Sequence, residues 1–297
     1  MIAYVDMCSG ISGDMFLGAL IDLGVPPDWL KEKLSGVFQE FKIHTKKVYP
    51  HQIKAIDVTV KSIQKEPGHR HYTDIQSMIQ AAPLSDTVKT NSLTAFRKIA
   101  EAESHIHGQD IEKVHFHEVG AVDSLVDIIG TFLGLEYLGV EQVFASPVAL
   151  GSGNVKCAHG TIPVPVPATL AILKETPVTA SDARTEIVTP TGAALITTLC
   201  TQFGAMPPMS LKKTGYGAGK RQTGSVLPNI LRVVLGESNE KISTKYIKKE
   251  KIYVVFANID DMNPEVSGFL MDTLFDKGAL DVCFIPAQMK KNRPGVQ

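Results

Sequence analysis

The chain has 297 residues, with 30 basic and 31 acidic side chains and a formal net charge of −1. That balance supplies no basic field for phosphate backbones, so a nucleic-acid partner is not expected. Hydrophobic residues at 44% and charged residues at 21% indicate a packed core rather than disorder.

No apolar run reaches the roughly 18 residues that span a bilayer, because Glu136 interrupts the best candidate. The N-terminus lacks a basic segment followed by an apolar stretch, so no signal peptide is expected. Cys8, Cys157, Cys200 and Cys283 lie far apart without a CxxC pair, which argues against a zinc ribbon or disulfide scaffold. The expectation is a cytoplasmic protein without a membrane partner.

In chain order, Ile2–Asp6 reads as a short strand, followed by a small-residue turn from Cys8 to Asp14. A helix over Met15–Leu23 places Phe16, Leu17, Leu20 and Leu23 at helical spacing and stops at Gly24. Pro26-Pro27 opens a short helix near Trp29, and Phe41–Tyr49 with Ile53–Ser62 form a hairpin. Helices are predicted over 73–81 and 84–104, each opening on capping residues, and from Asp123 to Leu138. Val140–Leu150 reads as one strand, Gly151–Asn154 as a turn, and Thr161–Pro167, with prolines at alternate positions, as extended chain. A helix opens near Pro190-Thr191-Gly192, and Asn229–Leu235 is a strand.

The composition turns polar between Glu237 and Lys251, as in an interdomain linker. Beyond it, strand Ile252–Asn258, a helix ending before Gly278 and strand Ala279–Pro286 make one β-α-β unit. The predicted class is α+β (mixed α/β): a large N-terminal domain over 1–237, a linker over 238–250, and an incomplete ferredoxin-like β-α-β segment over 251–297.

Six of the nine histidines fall into three His-x-His pairs: His69/His71, His105/His107 and His115/His117, the last followed by Glu118. In an extended segment this spacing turns both rings to one face, which suits chelation of one ion. Imidazole with carboxylate fits zinc, nickel, copper or iron and fits magnesium or calcium poorly. A solvated polar face uses the same spacing. Asp123 and Asp127, four apart in a helix opening, share one face.

Three small-residue junctions suit an anion. At Ser9, Gly10, Ser12 and Gly13 a strand, a turn and a helix N-terminus present unpaired N–H groups, with Asp14 either capping the helix or facing the site. Thr191 and Gly192 sit at a second such junction, and Gly215–Arg221 reads as a third small-residue loop carrying two cations. None matches a phosphate-loop or dinucleotide fingerprint, and each also fits a plain turn. Cys8, in the first turn, is a candidate thiolate ligand or nucleophile. Lys290, Lys291 and Arg293 near the chain end suit phosphates or solvent.

The stretches Asp6–Met15, His115–Gly130, His159–Ala168 and Thr189–Ala194 together resemble the LarC family, the nickel-insertion proteins of nickel-pincer cofactor biosynthesis. The resemblance implies a chelatase that binds Ni(II) and inserts it into pyridinium-3,5-bisthiocarboxylic acid mononucleotide, making one metal–carbon and two metal–sulfur bonds. The implied product is the pincer cofactor of lactate racemase, and the implied co-substrate is CTP with Mg(II) or Mn(II). His115, His117 and Glu118 become the first nickel candidates, with His69, His71, His105 and His107 behind them. Ser9, Gly10, Ser12, Gly13, Asp14, Thr191 and Gly192 are the substrate candidates, with Gly10 and Gly13 replaceable without unfolding. Lys290, Lys291 and Arg293 become candidates for the CTP phosphates; no catalytic residue is singled out.

Full family members are longer at the C-terminus. The resemblance therefore reads 251–297 as the start of a truncated CTP-binding domain, completed by a separate or frameshifted product, in a homo-oligomer. A nickel delivery or storage protein without CTP chemistry is the alternative, and a metal-dependent hydrolase ranks below both.

Overall fold

The computed structural model describes residues 1–38, 41–63, 70–114, 116, 121–157, 160–238 and 253–297. The chain divides into two compact units, Met1–Ile242 and Ser243–Gln297. The first opens with β1 (Ile2–Asp6), α1 (Gly13–Leu23), α2 (Pro27–Ser35), and the hairpin β2 (Phe41–Val48) and β3 (Ala55–Ser62). Helices α3 (Tyr72–Ala81), α4 (Asp86–His107) and α5 (Val122–Tyr137) follow. Next come β4 (Gln142–Ala145), β5 (Val148–Leu150), β6 (Asn154–Cys157), β7 (Gly160–Pro163), α6 (Pro167–Ile172) and β8 (Val178–Ala180). Helix α7 (Pro190–Leu199) and strands β9 (Cys200–Phe203), β10 (Met209–Ala218) and β11 (Ile230–Ser238) complete it.

Seven of these strands form a mixed sheet in the order β2-β3-β10-β11-β1-β4-β9. Strand β1 runs antiparallel to β11 and parallel to β4, and Ile2–Val5 are buried on both faces, which explains the unbroken apolar run. At one edge β2 carries Lys42, Lys46 and Lys47, charges that discourage pairing with another chain.

Helix α1 lies across β3, β10 and β11 and packs against α5. Its approach depends on missing side chains. A Cβ on Gly217 of β10 would stand 1.7 Å from the Met15 carbonyl oxygen, and one on Gly18 of α1 would stand 2.5 Å from the Ile56 oxygen. Gly215 and Gly217, expected in a loop, are therefore strand residues that seat the helix.

Several local readings change on folding. The run Val140–Leu150 is two strands broken at Ser146-Pro147, because β4 joins the large sheet while β5 pairs with β8. Pro167, expected in extended chain, opens α6 at its first turn, where its missing N–H costs nothing. The predicted linker lies almost wholly outside the described residues.

The second unit contains α8 (Val266–Asp276) and the hairpin β12 (Pro286–Met289) and β13 (Arg293–Val296). Its helix falls where periodicity placed it, and Gly278 follows with φ +95°. The described part of the first expected strand joins no ladder, and Tyr253 and Phe256 there are 90% and 72% exposed. Alternation confers strand propensity, but a strand forms only against a partner.

Candidate functional site

The first two small-residue junctions meet backbone to backbone. Ile11 donates its N–H to the Ile187 oxygen at 2.8 Å, and Thr189 donates back to the Ile11 oxygen at 3.1 Å. Gly10 adopts φ +83°, and a Cβ there would stand 2.0 Å from the Ile187 oxygen; one on Gly192 would stand 2.3 Å from the Ile11 oxygen. These two glycines close the zipper and are not part of the adjoining cleft's lining. The expectation that Gly10 can be enlarged without disturbing the fold is corrected by this contact.

The zipper sets the N-termini of α1 and α7 side by side over a cleft of about 580 Å³. Ser12, Gly13, Asp14 and Thr191 of the predicted substrate set line it, as do Asp123, Asp127, Glu186, Lys156, Lys220 and Arg221. Ser9 is buried outside the lining. Ser12, and not Asp14, takes the N-cap position of α1. Its hydroxyl donates to Asp14 Oδ1 at 2.5 Å, and Lys220 Nζ donates to Asp14 Oδ2 at 2.7 Å. On the opposite junction, Thr189 caps α7 by accepting from the Gly192 N–H at 3.1 Å. Arg221 Nη1 donates to the buried Glu186 Oε2 at 2.7 Å.

The floor carries an excess of carboxylate. Asp123 and Asp127 are one turn apart on α5, and Asp127 is only 9% exposed. Burial first, then the Asp14 and Asp123 charges, hold the Asp127 carboxyl well above the usual carboxylate range, while Lys220 pulls it down. Burial lowers the Lys220 ammonium, but Asp14, Asp57 and Asp127 together hold it above its ordinary value. Asp127 Oδ1 has no hydrogen-bond partner among the described residues. Gly13 makes room for this group, because a Cβ there would stand 2.7 Å from Asp127 Oδ2.

The histidines divide. His69, His115, His117 and Glu118 lie outside the described residues, while Phe116 between the two histidines is buried and lines the cleft. His105 and His107 belong to α4, where an i, i+2 pair diverges by about 200° rather than sharing a face. Of the two, His107 lines the cleft, its Nε2 3.2 Å from Glu103 Oε2. His71 stands at the N-cap of α3, its backbone N–H donating to Asp74 Oδ2 at 2.9 Å, and is not part of the cleft lining. Among the described residues no cluster of three or more His, Cys, Asp or Glu side chains is arranged to hold a metal ion.

Cys8 also stands apart, in a shallow depression with Asp6 and Ser146. Desolvation, then the Asp6 carboxylate, push its thiol up, so the thiolate reading loses its electrostatic support. Lys290, Lys291 and Arg293 are exposed in the second unit, with Arg293 Nη1 3.9 Å from Asp260 Oδ2. Among the described residues no helix is long and apolar enough to cross a membrane.

Residue spacing alone did not reveal the pairing of Lys220 and Arg221 with cleft carboxylates, although the small-residue context of both cations was visible. The one cleft thus gathers carboxylates (Asp14, Asp123, Asp127, Glu186) and cations (Lys156, Lys220, Arg221) beside two helix N-termini. The chain belongs to the nickel insertion protein family, whose model matches residues 3–297. It is 48% identical to a relative from Geotalea daltonii over 297 residues, covering 99% of this chain and 74% of that one. Relatives from Desulfitobacterium hafniense and Acetivibrio thermocellus, each 45% identical, are named pyridinium-3,5-bisthiocarboxylic acid mononucleotide nickel insertion proteins. The matches cover 99% of this chain, and 73% and 74% of those two. No solved structure gives a significant match.

Proposed function

We propose that this chain inserts Ni(II) into pyridinium-3,5-bisthiocarboxylic acid mononucleotide within the cleft of its first unit. The observation that carries the reading is the cleft's charge division. The ligand has a cationic ring, two thiocarboxylates and a phosphate. Asp14 and Asp123 offer the ring its counter-charge, while Lys156, Lys220 and Arg221 suit the anionic groups. Helix N-termini beside Ser12 and Thr191 add partial positive charge. Family membership and the two relatives' names supply the metal and the substrate.

In this reading nickel is a substrate, delivered to the cleft from the His115, His117 and Glu118 segment, with His107 at the cleft wall. CTP with Mg(II) or Mn(II) is the co-substrate, its phosphates meeting Lys290, Lys291 and Arg293, and the product serves lactate racemase.

The test is an insertion assay on the full chain with Ni(II), CTP, Mg(II) and the mononucleotide, followed by mass spectrometry. The expected result is a product heavier by one nickel and lighter by the displaced protons. Nickel uptake by the protein with an unchanged mononucleotide would overturn the reading in favour of a delivery protein.

A further inference from the structure

We propose that Asp127 is the proton acceptor in this reaction, taking the hydrogen from the ring carbon that lies between the two thiocarboxylates. The inference rests on the nickel-insertion reading above. The substrate's own geometry creates the need for a base. Thiocarboxylates on ring positions 3 and 5 hold a metal, bound through both sulfurs, against carbon 4. That carbon carries a hydrogen, so a metal–carbon bond forms only as the C–H bond breaks. The C–H electron pair becomes the nickel–carbon bond, the metal stays Ni(II), and the proton passes to the carboxylate. No oxidant or reductant enters.

The cleft's carboxylates are already engaged, with one exception. Asp14 accepts from Ser12 and Lys220, Glu186 from Arg221, and Glu103 pairs with His107. Asp123 accepts from the Ser124 N–H at 2.7 Å. Asp127 Oδ1 alone among them is buried without a partner. A buried acceptor left unpaired destabilises the fold, so its presence in a cleft indicates a group kept for a ligand.

Its setting suits the task. Burial first, then the neighbouring carboxylates, raise its affinity for a proton, as an effective base requires, while the smaller pull of Lys220 favours the ionised form. A pyridinium cation arriving beside it favours that form further. Asp127 stands on helix α5 and packs against the bare Cα of Gly13, where a Cβ would come within 2.7 Å of Oδ2.

Single-turnover insertion on the full chain provides the test, using mononucleotide with hydrogen or deuterium at carbon 4. The wild type, Asp127→Asn and Asp127→Glu are compared, with mononucleotide affinity and thermal unfolding measured for each. Asp127→Asn is expected to fold, to bind the mononucleotide within a few-fold of the wild type, and to form product about 10²–10⁴-fold more slowly. Its hydrogen/deuterium rate ratio should exceed that of the wild type, and Asp127→Glu should recover part of the rate. Wild-type rates in Asp127→Asn, or a rate loss matched by lost affinity with an unchanged isotope ratio, would overturn the proposal. A wild-type chain that forms no product overturns the nickel-insertion reading itself, and the inference with it.

Discussion

Gly10→Ala is expected to destabilise the first unit by about 3 kcal/mol or more, the sum of a left-handed backbone and a hard contact. Gly10 holds φ +83°, and an added Cβ would stand 2.0 Å from the Ile187 oxygen, so the two junctions separate or the chain shifts. Loss of the pairing between Ile11 and the 187–189 segment uncouples α1 from α7, whose N-termini line the cleft. Gly108→Ala is the comparison: φ is also positive, at +60°, but nothing lies within 4 Å of the added carbon. It should cost about 1 kcal/mol, the backbone contribution without the collision. Urea midpoints at constant slope measure both. Equal midpoint shifts for the two variants would show that the zipper contact contributes nothing.

Asp127→Asn is expected to make the empty protein more stable at neutral pH, by about 1–3 kcal/mol, the cost of a buried group without a partner. The sign follows from linkage. The folded carboxyl holds its proton above the ordinary value of 3.8, because of burial and then Asp14 and Asp123. Asp57 and Lys220 face the same cluster, while Glu103 and His107 of α4 line the same cleft. Between 3.8 and the raised value the folded chain binds more protons than the unfolded one, so stability falls as pH rises. Asparagine removes that slope. The advantage of the variant should therefore be present at pH 7 and vanish as pH drops below the ordinary carboxylate range. Denaturant unfolding at pH 4 and pH 7 measures it, and a variant no more stable than the wild type at pH 7 would refute the expectation. A substitution that stabilises the fold while slowing proton removal is the signature of a residue retained for chemistry.

Local patterns made much of the first unit legible. Strand β1, helix α1, the β2–β3 hairpin and α5 follow from alternation, helical spacing and terminal residues that act over one or two turns. The shared face of Asp123 and Asp127 was readable from a spacing of four. The His105/His107 pair was misread because His-x-His does not reveal whether the backbone is extended or helical. In α4 the two rings diverge, and only one of the pair meets the cleft. The glycines of β10 looked like a loop because the helix that needs them bare, α1, is distant in sequence.

The sequence by itself determined a neutral, core-forming chain of mixed class and, through dispersed motifs, its resemblance to a nickel-insertion family. Tertiary structure decided which small-residue turns form walls of one cleft, which cations answer which carboxylates, and which buried oxygen remains unpaired. Those are properties of segments brought together across the chain: burial, charge coupling and the loss of water act between neighbours in space, and no spacing along the sequence encodes them.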